Sequence, residues 1–304
     1  MTNSDRILVI GDVMTDIVVR ATGPLARGSD RRASIVFRPG GSAANQAAWL
    51  ASFGAEVDFV ARVGAADLES ETARLRAAGV RPHLVEDNDR ETGRLVALID
   101  PDGERSFLTD RGANDALRSA DIPDALIAGA ALIHLSGYSF FAPSPRAAVL
   151  DVMRRAGVKP VSVDPASAEF LREVGAENFH DWTLGAAILF PNAEEAAILA
   201  GSDDPETQCA RLAAIYPLVV IKRGAAGCEA AAGARRWRAE ARQVGAIDTT
   251  GAGDAFVAAF LAARLAGEDI QPALERAVAA GAQAATRIGG RPKTKRPPSE
   301  SVKN

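Results

Sequence analysis

A short stretch near the C-terminus combines small residues with a carboxylate that could take part in chemistry on a phosphate. Gly251, Ala252 and Gly253 are followed directly by Asp254, and an alanine-rich run continues to residue 266. The run predicts a helix, and the first N–H groups of a helix bind anions because they have no partner inside it. We expect these N–H groups to stabilise a transferred phosphoryl group while Asp254 takes a proton from a hydroxyl.

A second glycine-rich stretch lies near the N-terminus. Gly40 and Gly41 come just before Asn45, at the start of a run that predicts a helix ending near residue 53. The two glycines permit backbone angles that other residues avoid, which suits a hinge and a close approach to substrate. Asn45 lies one turn into this helix, where its amide offers a donor and an acceptor to a polyol.

Two carboxylates follow the first predicted strand. Residues 7–10 are an apolar run that ends in Gly11, which is typical of a buried parallel strand. Ligands bind at the carboxyl ends of such strands, so Asp12 and Asp16 are candidates to accept hydrogen bonds from sugar hydroxyls. For Asp12 the alternative is a structural role in capping a turn.

In this order, the two glycine-rich stretches resemble the signatures of the ribokinase-like (PfkB-type) carbohydrate kinases, and the resemblance extends along nearly the whole chain. It implies ATP-dependent phosphorylation of a hydroxyl, with Asp254 as the base and with Asp16, Gly41 and Asn45 on the substrate. No G-x-x-x-x-G-K-[ST] P-loop occurs in the sequence, and Gly251-Ala-Gly does not continue as the G-x-G-x-x-G dinucleotide fingerprint. The sequence therefore argues against an oxidoreductase of the dinucleotide-binding type.

The resemblance also implies a nucleotide side. Asn192 and Glu195 match an Asn-x-x-Glu element tied to Mg²⁺ and phosphate, in which the carboxylate orients the waters of the ion. Lys222 and Arg223 open a loop that runs along the phosphates in the family, and either side chain could pair with them. The small residues from 224 to 227, including Gly224 and Gly227, let the backbone approach the ribose.

A monovalent cation site is a further implication. Asp248 and Thr250 match positions that hold such a cation in several relatives. Lys293 falls where an uncharged hydroxyl residue is common in the last ring of cation ligands, and its ammonium group would occupy or repel the cation. We therefore expect weak or absent dependence on K⁺.

The rest of the chain predicts a fold that can hold these residues together. Short apolar runs alternate with helical stretches, which favours an α/β/α domain with a mainly parallel sheet. The predicted strands are residues 131–135, 160–164, 187–190 and 218–221, and the predicted helices are residues 144–156, 193–200 and 205–215.

Two insertions, about 13–39 and 92–111, predict a small β-sheet lid on one ribokinase-like domain. Arg111 and Asn114, at its end, are candidate substrate contacts. Residues 291–304 are Pro-rich and polar and predict a flexible tail.

Composition bounds the class of protein. The 304 residues are 47% hydrophobic with a formal charge of −4, which suits a globular protein and makes non-specific nucleic-acid binding improbable. No apolar run is long enough to span a membrane, and no signal peptide is recognisable. The only cysteines are Cys209 and Cys228, too few for a disulfide framework or a zinc site. We expect a cytoplasmic protein.

The substrate is the least constrained feature. A neutral ribose-like sugar fits the pairing of Asp16 with Asn45, and a nucleoside of the adenosine or pseudouridine type is the main alternative. A sugar acid or sugar phosphate is a further alternative because the lid insertions contain many arginines, namely Arg27, Arg31, Arg32, Arg38, Arg105 and Arg111. A non-catalytic sugar sensor is the alternative from another class. Relatives often pair through their lids, so a homodimer is possible.

Overall fold

The structure is a computed structural model that describes residues 6–24, 28–99 and 105–293. Residues 100–104 of the second predicted insertion and residues 294–304 of the predicted tail lie outside this range. In chain order the strands are β1 (Arg6–Ile10), β2 (Met14–Ala21), β3 (Ala33–Gly40), β4 (Glu56–Gly64), β5 (Arg81–Asp87), β6 (Thr92–Ile99), β7 (Arg105–Gly112), β8 (Leu132–Ser136), β9 (Val161–Asp164), β10 (Ile188–Leu189), β11 (Leu218–Lys222), β12 (Cys228–Ala232) and β13 (Arg235–Ala239).

The helices lie mostly between the strands, as the alternating pattern predicts. In chain order they are α1 (Ser42–Ser52), α2 (Leu68–Ala77), α3 (Asp124–Gly129), α4 (Pro143–Ala156), α5 (Ala168–Val174), α6 (Ala176–Thr183), α7 (Ala193–Ala200), α8 (Pro205–Leu212), α9 (Ala252–Leu265) and α10 (Ile270–Ala285). None of these described helices is long and apolar enough to cross a membrane.

Strand β1 shows why the main sheet is covered on both faces. Its residues Ile7 to Ile10 are all fully buried. Ile7 and Val9 belong to one apolar cluster, whereas Leu8 and Ile10 belong to another on the opposite face. Successive side chains of a strand point to opposite faces, so an unbroken apolar run requires a helical layer on each side.

Among the described residues, nine strands form the main sheet in the order β13-β12-β11-β10-β9-β8-β1-β4-β5. Strands β5 to β11 of this order pair in parallel, and β12 and β13 add an antiparallel edge. Helices α1, α2, α9 and α10 pack on one face and α3 to α8 on the other. The predicted three-layer architecture is confirmed.

Strand β1 has β4 on one side and β8 on the other, so the strands that follow β1 are added to the sheet in opposite directions. Such a switch point opens a crevice at the carboxyl ends of the strands, where open α/β sheets bind ligands. Asp12 follows β1 and Ser136 ends β8, and the Ser136 hydroxyl donates a hydrogen bond of 3.1 Å to the Asp12 carboxylate. The first predicted carboxylate therefore lies in this crevice.

A separate four-stranded sheet, in the order β3-β2-β6-β7, confirms the predicted small sheet. Its register gives each face a distinct set of side chains because alternate residues point to opposite sides. Val18, Val36 and Ala97 share one face and line a cavity of about 110 Å³ together with Asp248 of the main domain. We call this the inner face; the other, the outer face, includes Phe37, which is 66% exposed.

The start of the predicted tail differs from expectation. Arg291 is largely buried, and its guanidinium donates a hydrogen bond of 2.9 Å to the carbonyl oxygen of Gly40 at the end of β3. Polar, Pro-rich composition predicts a mobile segment, but this buried contact fixes its first residue.

Candidate active site

The N-terminus of α9 is built as an anion site. Gly251 has φ +74°, and a Cβ atom there would lie 2.4 Å from Cα of Gly290, so only glycine fits. The Ala252 N–H donates to Thr249, whereas the N–H groups of Gly253 and Asp254 have no acceptor among the described residues. These two N–H groups remain available at the positive end of the helix dipole.

Asp254 is held by α1, the helix that starts the other glycine-rich stretch. Its carboxylate accepts a hydrogen bond of 2.7 Å from the Ser42 hydroxyl and one of 2.9 Å from Asn45 Nδ2. Burial raises the pKa of Asp254 to about 7, although the two hydrogen bonds act in the opposite direction. A carboxylate with this pKa can take up a proton near neutral pH, as a general base must.

Asp16 and Asn45 each carry an oxygen that accepts no hydrogen bond from the described residues. Among the described residues, no hydrogen-bond donor contacts the Asp16 carboxylate, which lies directly against Gly40. Burial, followed by the charge of Asp12, raises the pKa of Asp16 to about 6. Asn45 Oδ1 is buried and has no hydrogen-bond partner within the described ranges. Both oxygens are acceptors that a polyol could satisfy.

Asp12 and Asn114 have backbone partners that give them positioning roles. Asp12 accepts hydrogen bonds from the Ser42 and Ala43 N–H groups, at 3.1 and 3.2 Å, and so caps α1. The Asn114 amide accepts from the Val13 N–H and donates to the Val13 carbonyl oxygen, both at 2.9 Å. These contacts occupy the groups that were expected to reach a substrate, and substrate contact by either residue stays a prediction.

Arg111 lies between Asp12 and the ring of Tyr138. Its guanidinium is 3.4 Å from the Asp12 carboxylate and 4.4 Å from the ring centroid of Tyr138. The cation–π contact and the long ion pair hold Arg111 at the edge of the crevice.

The nucleotide side contains a buried ion pair that the sequence did not single out. Lys222 Nζ lies 2.9 and 3.0 Å from the two oxygens of Asp164, at the carboxyl ends of β11 and β9. A Cβ atom on Gly253 would be 3.9 Å from the same Nζ, so the ammonium group lies next to the anion site of α9. Asp164 is separated from Lys222 by 58 residues, and no local motif marks the pair.

A chain of buried hydrogen bonds supports Asp164 from behind. Gln46 Nε2 donates to Asp164 at 3.0 Å, and Gln46 Oε1 lies 2.8 Å from His134 Nε2. Gln46 therefore needs a protonated His134 Nε2, and Ser162 Oγ lies 2.9 Å from His134 Nδ1. Burial lowers the pKa of His134 to about 4, so its ring is neutral at physiological pH. These contacts give His134 a structural role.

Asn192 and Glu195 form a reciprocal cap at the start of α7. The Glu195 N–H donates to Asn192 Oδ1 at 2.8 Å, and the Asn192 N–H donates to Glu195 Oε2 at 2.7 Å. Burial raises the pKa of Glu195 to about 7, against the opposing effect of Lys222. Local capping thus fixes one oxygen of the carboxylate close to the Lys222–Asp164 pair.

Lys222 and Arg223 point in different directions. Arg223 Nε is 2.5 Å from Glu229 and Nη1 is 3.0 Å from Gln208, on the side away from Asp164. Since neighbouring side chains at a strand end point to opposite faces, only Lys222 faces the anion site. The phosphate contact predicted for Arg223 therefore has no geometric support.

The loop after β11 opens into a cavity of about 540 Å³. Gly224 and Gly227 line it, together with apolar residues of α9 and α10 such as Phe256 and Val278. A Cβ atom on Gly227 would lie 2.1 Å from the Ala239 carbonyl oxygen, and its φ of +85° also favours glycine. An apolar cavity that ends at Lys222 and Gly253 suits a nucleotide with its base inside and its phosphates at the helix.

Asp248 and Thr250 lie at the turn before α9. Asp248 accepts hydrogen bonds from the N–H groups of Thr250 and Gly289, at 3.0 and 3.1 Å. Asp248 and Thr250 also line the small cavity under the inner face of the four-stranded sheet. The two predicted cation ligands are therefore adjacent, and Asp248 links this turn to the C-terminal segment.

Comparisons with known proteins agree with this site. A profile of the pfkB family of carbohydrate kinases matches residues 4–296. The ATP-dependent ribose-1-phosphate kinase of Halopiger xanaduensis is 33% identical over 94% of this chain and 94% of its own length. The ribokinase of Bacillus subtilis is 31% identical over 88% of this chain and 89% of its own.

Solved structures lead to the same class. The adenosine kinase of Sinorhizobium meliloti superposes with a TM-score of 0.85, at 25% identity and over 94% of this chain and 95% of that one. A ribokinase of Thermotoga maritima shares the fold, with a TM-score of 0.79 at 24% identity over 93% and 94% of the two chains. The chain belongs to the pfkB family of carbohydrate kinases. It is an ATP-dependent carbohydrate kinase.

Proposed function

We propose that this kinase transfers the γ-phosphoryl group of ATP to a primary hydroxyl group of a ribose-like sugar. The observation that carries the proposal is the position of Asp254. Its carboxylate, held by Ser42 and Asn45, lies at the mouth of a helix whose Gly253 and Asp254 N–H groups have no described partner. A base and an oxyanion-type site are thus adjacent, as phosphoryl transfer to an alcohol requires.

In the proposed step, Asp254 takes the proton of the sugar hydroxyl while the hydroxyl oxygen forms a bond to the γ-phosphorus. The bond between that phosphorus and the β–γ bridging oxygen breaks. ADP leaves with the electron pair of the broken bond on this oxygen. The α9 N–H groups and Lys222 stabilise the charge on the transferred group. Asp254 later releases its proton to solvent, which its pKa of about 7 permits.

A ribose-like ring fits the sugar side. Asp16 and Asn45 present acceptors without described partners, and both adjoin the Gly40–Gly41 turn: Asp16 lies against Gly40, and the Asn45 N–H donates to the Gly41 carbonyl oxygen. Relatives that share more than 30% identity include a ribokinase and a ribose-1-phosphate kinase. Both observations support a five-membered sugar ring in this cleft.

A sugar phosphate is the second candidate, and a specific observation favours it. Arg20 and Arg38 line the small cavity between the inner face and the turn at Asp248. Guanidinium groups at this position could bind a phosphate on the far end of the sugar. The similarity to a ribose-1-phosphate kinase supports the same assignment.

The test is ADP release with D-ribose, D-fructose, ribose 1-phosphate and adenosine as acceptors, followed by ³¹P NMR of the product. We expect turnover of D-ribose or ribose 1-phosphate and a new phosphomonoester on a primary carbon. If only adenosine is turned over, the nucleoside alternative replaces the proposal. Failure with all four, under conditions where ATP binding is measurable, would favour the sensor alternative.

We also propose Mg²⁺ as the ion that accompanies ATP. The donor set fits this ion: Asp164 is a buried carboxylate at the end of β9 and Glu195 is one in the first turn of α7, and among the described residues no group of three or more His, Cys, Asp or Glu forms a complete protein cage. Mg²⁺ keeps several waters and phosphate ligands and so needs few protein ligands. When bound, it would neutralise part of the phosphate charge. In this arrangement Glu195 orients the waters, while Asp164 and Lys222 hold the phosphate end of the cavity.

Dependence on K⁺ is proposed to be weak. Lys293 is exposed, two residues beyond the buried Arg291, and it introduces a positive charge into the segment that contacts the Asp248 turn. Steady-state rates with K⁺ and with tetramethylammonium at equal ionic strength test this. Strong activation by K⁺ would contradict it.

The four-stranded sheet is proposed to act as the lid and as a dimer interface. Its outer face exposes large apolar side chains, and Ile35, Phe37 and Leu108 are 57, 66 and 63% exposed. A contiguous apolar sheet face of this kind marks an interaction surface. Sedimentation velocity should give a dimer that Phe37→Asp converts to a monomer; a monomeric wild type would exclude this interface.

Since ATP is the donor and both cysteines are free thiols, we place the reaction in the cytoplasm.

A further inference from the structure

Arg291 is a buried cation that the proposed reaction does not yet use. Its side chain is only 10% exposed, and its Nη1 lies 3.6 Å from Glu71, a buried carboxylate on α2. Its Nη2 donates to the Gly40 carbonyl oxygen, and its Nε has no hydrogen-bond partner in the part of the chain that the structure describes. Burying a guanidinium is costly unless opposite charges surround it, so this position requires compensation.

The Gly40 peptide connects Arg291 to the sugar side. The Asp16 carboxylate lies so close to Gly40 that a Cβ atom there would be 2.1 Å from Asp16 Oδ1. The carbonyl oxygen of the same residue accepts the hydrogen bond from Arg291. Guanidinium, peptide and carboxylate are therefore in continuous contact, although Arg291 does not donate to Asp16.

The charges around Asp16 make this contact informative. Asp12 and Asp248 are the other charged groups that act on Asp16, and both are negative, whereas Arg291 is positive. On the Arg291 side, Glu71 and Asp16 favour the cation and Arg74 opposes it. Arg291 is thus the positive group that offsets the burial of Asp16 and its two acidic neighbours.

We propose that Arg291 is a positioning residue for the sugar: it provides the countercharge for Asp16 from behind Gly40 and leaves both carboxylate oxygens free to accept hydroxyl groups. A direct ion pair would occupy those oxygens. A contact through the peptide instead keeps the carboxylate charged and open. This inference rests on the proposed function because it takes Asp16 as the acceptor for the sugar.

The same contact fixes the hinge of the lid. Gly40 ends β3, the strand that leads from the small sheet into the turn before α1. The neighbouring Gly290 carbonyl oxygen accepts a hydrogen bond of 2.8 Å from Trp49 Nε1, which anchors the segment to α1. Arg291 therefore acts from a fixed base and not from a mobile tail.

The kinetic test compares Arg291→Gln and Arg291→Lys with a control, Arg287→Gln, which removes a partly exposed positive charge from the same segment. The acceptor is whichever of D-ribose and ribose 1-phosphate wild type turns over faster. We expect Arg291→Gln to raise the KM for this acceptor about tenfold or more, with kcat and the KM for ATP changed less than about threefold. Arg291→Lys should recover part of the loss, and the control should match wild type. If kcat falls by the same factor by which the KM for the acceptor and the KM for ATP both rise, the proposal is wrong.

A test without substrate separates this inference from the proposed function. Melting temperatures of wild type, Asp16→Asn, Arg291→Gln and the double variant form a cycle that measures coupling between the two charges. We expect Arg291→Gln to lower the melting temperature less in the Asp16→Asn background than in wild type. Additive changes would overturn the proposal. Failure of wild type to phosphorylate any acceptor would instead overturn the proposed function, and the cycle would still decide the coupling.

Discussion

The two walls of the cleft are built by different means. On the sugar side, charged and polar side chains form the surface, and Asp254 is held there by Ser42 and Asn45 of α1. On the nucleotide side, small residues and backbone form much of the surface: Gly227 lets the Ala239 carbonyl oxygen approach closely, and Gly253 lines the cavity without a side chain. The first wall therefore depends on functional groups and the second on the absence of side chains.

This difference predicts which kind of substitution each wall tolerates. An isosteric change that removes one charge should damage the sugar side without moving its backbone. A single added methyl group should damage the nucleotide side without removing any functional group. The Lys222–Asp164 pair lies between the walls and should show an intermediate response.

Asp254→Asn gives the sharpest test of the sugar wall. The variant has one acceptor oxygen for Asn45 and an Nδ2 that can donate to the Ser42 hydroxyl, but it cannot take a proton, so kcat should fall by roughly 10²- to 10⁴-fold. Acceptor binding, measured by calorimetry, should stay near the wild-type value. Ser42→Ala is the matched control because it removes one partner of Asp254 and leaves the base in place; its loss in kcat should be much smaller. Near-normal turnover in Asp254→Asn would remove the mechanism.

The pH dependence of kcat provides the second test. Burial raises the pKa of Asp254 to about 7, so the base is protonated and inactive below that pH. We expect kcat to fall by about tenfold for each pH unit below roughly pH 6.5 and to level off above pH 8. Calorimetric ATP binding at the same pH values is the control for loss of nucleotide. A flat profile down to pH 5 would contradict the assigned base.

Gly227→Ala against Gly224→Ala tests the nucleotide wall. Both glycines have positive φ, but a Cβ atom at 227 would lie 2.1 Å from the Ala239 carbonyl oxygen, whereas nothing lies within 4 Å of one at 224. Gly224→Ala should cost only the strain of the left-handed conformation, about 1–2 kcal/mol of stability. Gly227→Ala should cost more and also weaken ATP binding, because the loop must shift. Equal effects on the KM for ATP would show that this clash does not shape the site.

Gln46→Leu should have the smallest effect, and it tests the region between the walls. The change removes the donor to Asp164 and leaves the buried His134 Nε2 without its acceptor. We expect a loss of about 1–3 kcal/mol in unfolding free energy and a rise of several-fold in the KM for ATP. Gln283→Leu, on the exposed face of α10, is the control. A loss of stability with an unchanged KM for ATP would limit Gln46 to a structural role.

The sequence predicted best where chemistry and local structure coincide. Gly251 and Asp254 lie within four residues of one another, and Asn192 and Glu195 within one turn, so each pair could be placed from its own segment. The three-layer fold followed from apolar runs such as residues 7–10. These features depend on short-range periodicity, which a single sequence records.

Long-range contacts were harder to predict. Asp164 reaches Lys222 across 58 residues, and nothing near Asp164 distinguishes it from an ordinary strand end. Lys222 and Arg223 were alternatives for contact with the phosphates, and strand alternation turns Arg223 towards Glu229. Arg291 begins a segment whose polar, Pro-rich composition predicts a mobile tail, yet Arg291 is buried and contacts Glu71 and Gly40. In each case the partner lies in a distant segment.

The close approach of Gly290 to Gly251 has a consequence for the folding of the enzyme during its synthesis. Residues from position 12 to position 291 meet in one cleft, and the last of them lie against the turn that carries the helix mouth. A nascent chain that has already assembled its sheet still lacks this wall. During translation the protein should therefore stay catalytically silent until residue 291 has emerged from the ribosome.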